Sequence, residues 1–200
     1  MDDLSRREVV QLMVGIPLLI TGVSPETIRR AAAFARTALA APAQAAPVFF
    51  TEHEWQTVRI LVDLIIPRDE RSGSATDAGV PEFMDFILND QADMQDPMRG
   101  GLAWLDNECR DRFGKAFVDC GDAQHAAVLD DIAWPARARP EMQPGVTFFN
   151  SFRDLTASGF WSSEMGVKDL RYQGNAAVPE WKGCPEAVLR AIGVRYQDHS

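Results

Sequence analysis

Between Thr51 and Pro67 the chain reads TEHEWQTVRILVDLIIP, and this stretch restricts the fold more than any other. Thr51 with Glu54 three residues later is a capping box, in which each side chain satisfies a backbone N–H left orphaned at a helix start. Trp55, Val58, Leu61, Val62 and Ile65 then recur at helical spacing and form one apolar stripe. Pro67 ends the run, because its ring removes a donor and clashes with the preceding turn. Such a stripe has to be covered by neighbouring elements, and the rest of the chain supplies helices rather than strands.

After a polar Gly/Ser-rich loop, RDERSGSATDAGV, the segment PEFMDFILND places Pro81 in a first helical turn and turns Phe83, Phe86, Ile87 and Met84 inward. Asp96-Pro97 opens a further helix with Met98, Leu102, Leu105, Cys109 and Phe113 on one face. Gly114 closes it, and Gly100-Gly101 weakens its first turns. DAQHAAVLDDIA is a shorter helix with Asp122 as N-cap. GVTFFNSFRDLTASGF follows a Pro-rich connection, with Phe148, Phe149, Phe152 and Leu155 inward and Gly159 near its end. Beyond it the periodicity stops, and only EAVLRAIGV suggests a closing turn or two. No alternating β-branched run is long enough for a sheet. The reading is an all-α, single irregular domain of five or six helices with a long non-periodic C-terminal segment.

The N-terminus carries Ser5-Arg6-Arg7, then an apolar run from Val9 to Val23, then small-residue sites such as Ala43-Gln44-Ala45. Twin arginine, apolar run and small-residue site, in that order, read as a twin-arginine-type export signal. The apolar run is too short and too interrupted for a stable membrane span. The competing reading is an ordinary first helix capped by Ser5. Residues 1–47 are therefore taken as an export signal or N-terminal extension, and 48–200 as the helical domain. Export implies a periplasmic location.

The chain carries 20 Lys and Arg against 29 Asp and Glu, a formal net charge of −9. Phosphate backbones require clustered cations, so a nucleic-acid partner is excluded. Cys109, Cys120 and Cys184 form no C-x-x-C pair, and His53, His125 and His199 are scattered, so no metal-ligand spacing is visible. There is no G-x-S-x-G elbow, no G-x-G-x-x-G and no P-loop. Asp69-Glu70 and Asp130-Asp131 are adjacent pairs that read as solvated faces, because neighbouring residues on a helix do not face each other. His125 reads as a solvated or satisfied surface histidine, and Met94 and Met98 as core filler. Catalytic, cofactor-binding and metal residues are assigned to none.

LVDLIIPRDERSGSATDAGVPEFMDFIL resembles the N-terminal signature of the gluconate 2-dehydrogenase subunit 3 family: an apolar helix into Ile-Ile-Pro, a small-residue loop, then Gly-Val-Pro before a second helix. FFNSFRDLTASGFWSSEMGVKDLRYQGNAAVPEWKGCPE resembles its C-terminal signature, ending in aromatic-x-Gly-Cys-Pro. The likeness covers roughly residues 48–190. It implies a small, non-catalytic subunit of a bacterial flavin-dependent sugar or sugar-acid dehydrogenase. FAD would sit on a partner large subunit of the glucose-methanol-choline (GMC) type, haem c on a third, cytochrome c subunit, and no cofactor on this chain. The membrane would be met only through the complex. The small subunit would assist maturation, stability and twin-arginine export of the flavoprotein. A stand-alone periplasmic adaptor or binding domain, and an independent small oxidoreductase, are the alternatives.

Under that reading the non-periodic segment is a docking strap. Trp161, Tyr172 and Trp181 are residue types that anchor interfaces. Gly174 permits close backbone approach, and Pro179 and Pro185 pre-order the chain. Three cysteines in an oxidising compartment leave an odd one, and Cys184 is expected to bridge to the large subunit. Cys109 reads as a buried thiol, with a Cys109–Cys120 bridge as the alternative.

Overall fold

The computed structural model describes residues 23–41, 46–171 and 183–193. Among them are eight α-helices and no strand. They are α1 Pro25–Ala40, α2 Glu52–Ile65, α3 Val80–Asp90, α4 Ala92–Phe113, α5 Asp122–Ile132, α6 Gln143–Ser162, α7 Glu164–Asp169 and α8 Glu186–Ala191. Short 3-10 turns occupy Phe117–Asp119 and Pro140–Met142. The all-α expectation holds, with two helices beyond the five or six expected.

One of the two is α1. Ser24 caps it by accepting the Thr27 N–H, and Pro25 stands in its first turn. Its buried side is Ala31 and Ala35, too small for an apolar stripe to stand out in the sequence. That side packs on α3, where Gly79 holds a left-handed conformation (φ 79°). A Cβ on Gly79 would lie 3.3 Å from that of Ala35 and 3.0 Å from a Leu39 methyl. Phe34 stacks on Phe86 at 5.3 Å, so Phe86, expected to be buried, is half-covered by α1 instead. The second is α7, which begins one residue after α6 ends. Ser163 separates them in an extended conformation, donates to the Phe160 carbonyl and caps the Gly166 N–H.

The capping box at Thr51 and Glu54 forms as expected, with Val58, Leu61 and Val62 fully buried. Three boundaries differ from the sequence reading. α4 starts at Ala92, so Pro97 lies inside it; Gln95 reaches back to the Leu88 carbonyl and ties the new turn to the end of α3. Gly121 rather than Asp122 caps α5, with Gln124 accepting the Gly121 N–H. α6 runs two residues past the expected Phe160 to Ser162, with Gly159 near its end as expected. A Cβ at 159 would meet Phe83 at 2.9 Å, so this glycine admits α3 to the surface of α6.

α4 and α6 cross through a reciprocal lock. Gly101 of α4 receives the Phe148 ring, and Gly145 of α6 receives the Trp104 ring. Each glycine stands one helical turn from the aromatic that its own helix contributes. Phe148, Phe152, Leu105, Leu155, Phe160 and Phe117 continue one core beneath the lock. Met98 is buried in it and Met94 half-buried against it, as core filler should be.

Glu82 on α3 is an acid inside this packing. Its Oε2 is buried without a hydrogen-bond partner, and Arg59 stands 4.0 Å from its Oε1. Burial pushes its carboxyl above the ordinary range of a glutamate, against the pull of its own backbone N–H and of Arg59, and Asp85 adds to the rise. The folded state thus holds this proton more tightly than the unfolded chain. Its contribution is most favourable below the unfolded value and is lost as pH rises through the folded one. Glu82→Gln is expected to stabilise the protein at pH 7 by about 1 kcal/mol and to flatten the loss of stability above pH 4.5. Denaturant midpoints of both proteins from pH 4 to 8 check this; a parallel pair of curves would contradict it.

Candidate partner interface

Two short helices at the C-terminal end of the described residues expose apolar side chains, and α7 is well fastened. α7 is held to the loop after α2 by Arg71, whose Nη2 donates to the Asp169 carbonyl at 2.6 Å and lies 3.2 Å from its carboxylate. Lys168 pairs with Glu164 across one turn, and that contact, helped by Arg36 of α1, holds the Glu164 carboxyl below its ordinary value. With its polar groups tied down, α7 leaves Val167 and Leu170 facing outward, and Leu39 of α1 is likewise exposed. Arg171 follows with a left-handed backbone (φ 54°), rare for a residue other than glycine.

Among the interface residues expected from sequence, Trp161 lies at the end of α6. It is half-buried against the core and edge-on to Phe160 at 4.9 Å. Cys184 is exposed directly ahead of Pro185 and α8. Tyr172, Gly174 and Trp181 lie outside the described residues, as do Ser5, Arg6 and Arg7 of the export motif. The fold therefore places two of these residues at its C-terminal end. It adds a feature the sequence reading passed over: α8 has no buried residue at all. Val188 is 48 % exposed and the adjoining Ile192 64 %, so the helix presents an apolar pair to its surroundings. A six-residue helix is marginal by itself in water, because nucleation costs more than so few hydrogen bonds return.

Two buried carboxylates, also missed from sequence, set the frame behind this surface. Asp85 of α3 accepts from the backbone N–H groups of Val48 (2.8 Å), Phe49 (2.9 Å) and Phe50 (3.1 Å). Arg99 of α4 completes the clamp. It donates to the Phe49 carbonyl, pairs with both oxygens of Glu54 and lies over the Phe49 ring at 4.3 Å. The chain entering α2 is thereby fixed by donors and acceptors alike. Asp106 of α4 takes the Phe117 N–H at 3.0 Å, His53 at 2.5 Å and Arg110 at 3.1 Å. The Phe117 carbonyl meets His125 Nε2 at 2.9 Å, and the two rings stack at 4.3 Å. His125 is thus buried, against the surface position expected of it. The signal available in the sequence was an acid adjoining an apolar stripe: Asp106 stands four residues after Leu102 and three before Cys109.

His53 and Asp106 make a histidine–carboxylate pair in a small cleft lined by Thr51, Asn107 and Arg110. The two hydroxyls in that lining are both engaged: Thr51 Oγ1 donates to Glu54, and Thr57 Oγ1 donates to the His53 carbonyl. The pair fastens α2 to α4 rather than activating a nucleophile. One acid of each adjacent pair is engaged: Asp131 pairs with Arg112 at 2.8 Å, and Asp69 accepts the backbone N–H groups of Arg71 and Ser72. Among the described residues no group of three or more His, Cys, Asp or Glu is placed to hold a metal ion, and no helix is long and apolar enough to cross a membrane.

Compared with known families, residues 52–179 match the family model described as gluconate 2-dehydrogenase subunit 3. The matched span runs from the first turn of α2 past α7; it covers the first sequence signature whole and the second as far as Pro179. No curated protein and no solved structure matches the chain significantly.

Proposed function

Since the chain belongs to the gluconate 2-dehydrogenase subunit 3 family, we propose that it works as the non-catalytic small subunit of an FAD-dependent sugar or glucoside dehydrogenase complex. In this reading a GMC-type flavoprotein large subunit carries FAD and the chemistry, and a cytochrome c subunit takes the electrons. The small subunit accompanies the flavoprotein through maturation and twin-arginine export to the periplasm. The observation that carries the reading is α8, a helix with no buried side chain next to the exposed Cys184. Val188, Ile192, Val167 and Leu170 supply apolar surface of the kind an obligate partner covers. The export signal in this reading ends ahead of Ser24, because α1 is packed into the domain and its loss would uncover Gly79 and Phe86.

The role is tested by expressing the flavoprotein gene with and without this chain. The reading expects active flavoprotein in the periplasm only when both are made. Equal periplasmic activity without the small subunit would end the export role.

Cys184 gives a second check. The complex, recovered without reductant, is expected to run on non-reducing electrophoresis as one band of the summed mass. Cys184→Ser should separate it into two. Identical mobility with and without reductant would remove the bridge while leaving the subunit assignment standing.

A further inference from the structure

Cys109 lies on α4 with 0 % exposure, and Cys120 lies just after the 3-10 turn with 9 %. Two hydrogen bonds bring them together. Asp106, one helical turn before Cys109, accepts the Phe117 N–H at 3.0 Å. Cys120, three residues after Phe117, donates its own N–H to the Phe117 carbonyl at 3.0 Å. Each cysteine is thus three residues beyond one member of a bonded pair, both are free thiols buried in the same core, and Cys120 is near enough to act on the Cys109 thiol. Cys120 Sγ donates to the Ala116 carbonyl at 3.4 Å, within the same short connector. Cys184 belongs to the other end of the chain.

From this juxtaposition we infer that Cys109 and Cys120 close an intrachain disulfide, which ties α4 to the connector ahead of α5. The oxidant is an external disulfide. Cys120, the less buried sulfur, attacks it as the thiolate, forming a mixed disulfide and releasing one external thiolate. Cys109 then attacks Cys120 Sγ. The mixed bond breaks, the second external thiolate leaves with the electron pair, and the Cys109 proton passes to it. Two protein thiols are oxidised and one external disulfide is reduced to two thiols. Burial, with Cys120 and Asp106 nearby, pushes the Cys109 thiol up to about 12. That value makes Cys109 the resolving partner and closure slow in the folded chain. The bond would hold Phe117, a fully buried core side chain, in a closed covalent ring. This inference stands or falls independently of the flavoprotein.

The test uses the purified full-length chain in a glutathione buffer dominated by the oxidised form, followed by alkylation in denaturant and peptide mapping. The expected product joins the Cys109 and Cys120 peptides and leaves Cys184 outside the link. Reductant should lower the melting midpoint of this product by about 5–10 °C, as loss of a short covalent ring does. Cys120→Ser should melt near the reduced wild type and no longer respond to reductant. Alkylation of both Cys109 and Cys120 after prolonged oxidation, or a link from either to Cys184, would overturn the inference. If Cys120→Ser fails to fold, the wild-type peptide map decides alone.

Discussion

Asp85→Ala is expected to lower the unfolding free energy by about 3 kcal/mol, because one side chain accepts three backbone N–H groups in and beside the core. Phe49 and Phe50 are buried, so two of those donors would be left without an acceptor and without water. For a chain of this size the melting midpoint should fall by about 6–12 °C. Asp85→Asn keeps one acceptor oxygen and should lose less than half as much. A structural consequence separates this role from general loss of packing. The Val48–Thr51 entry should exchange its amide hydrogens faster in Asp85→Asn, while α4 and α6 remain protected. A wild-type midpoint for Asp85→Ala would mean that the clamp contributes nothing.

The second large effect is a reversal of sign between two neighbouring glycines. A Cβ on Gly101 would lie 1.9 Å from Phe148 Cδ2, 2.3 Å from its Cγ and 2.8 Å from its Cβ. The ring is buried, and its own Cβ stands in the way, so rotation alone cannot relieve the contact. The two helices must separate, and Gly101→Ala should cost about 3 kcal/mol. A Cβ on Gly100 would meet nothing within 4 Å. There the substitution removes only backbone freedom from the unfolded chain inside a helix, and Gly100→Ala should stabilise by about 0.5–1 kcal/mol. Chemical denaturation of the two single variants measures both. Equal destabilisation would show that the pair serves flexibility rather than close approach at one position.

These two sites also show what could be read from the sequence. The α2 helix was legible down to its cap, because Thr51, Glu54 and the stripe from Trp55 to Ile65 depend only on local spacing. α3, α4 and α6 were legible for the same reason. Gly101 was misread as a weak point, and Gly159 was read only as lying near a helix end. Their role depends on Phe148 and Phe83, which arrive from other helices, and no local pattern announces such a meeting. α1 was missed because its buried side is alanine. α7 was missed because its start is set by Ser163 and its end is held by Arg71 reaching from a distant loop. Asp85 and Asp106 stood in plain view as acids inside apolar segments. Their partners are backbone groups on other segments, so the sequence offered the anomaly without its explanation. For the proposed interface, Cys184 and Trp161 were singled out by residue type. The unburied face of α8 became evident only from its place among the described residues.

The central claim is that this chain is a partner subunit rather than an enzyme by itself. Its most direct test is to express it, affinity-tagged, together with the genes beside it on its chromosome, purify by the tag, and record the absorption spectrum of each chain. The account predicts a larger co-purifying chain with an oxidised-flavin spectrum, bleached by a sugar or sugar acid, and no flavin on this chain. A lone 22.2 kDa protein that turns over such a substrate without any partner would contradict it.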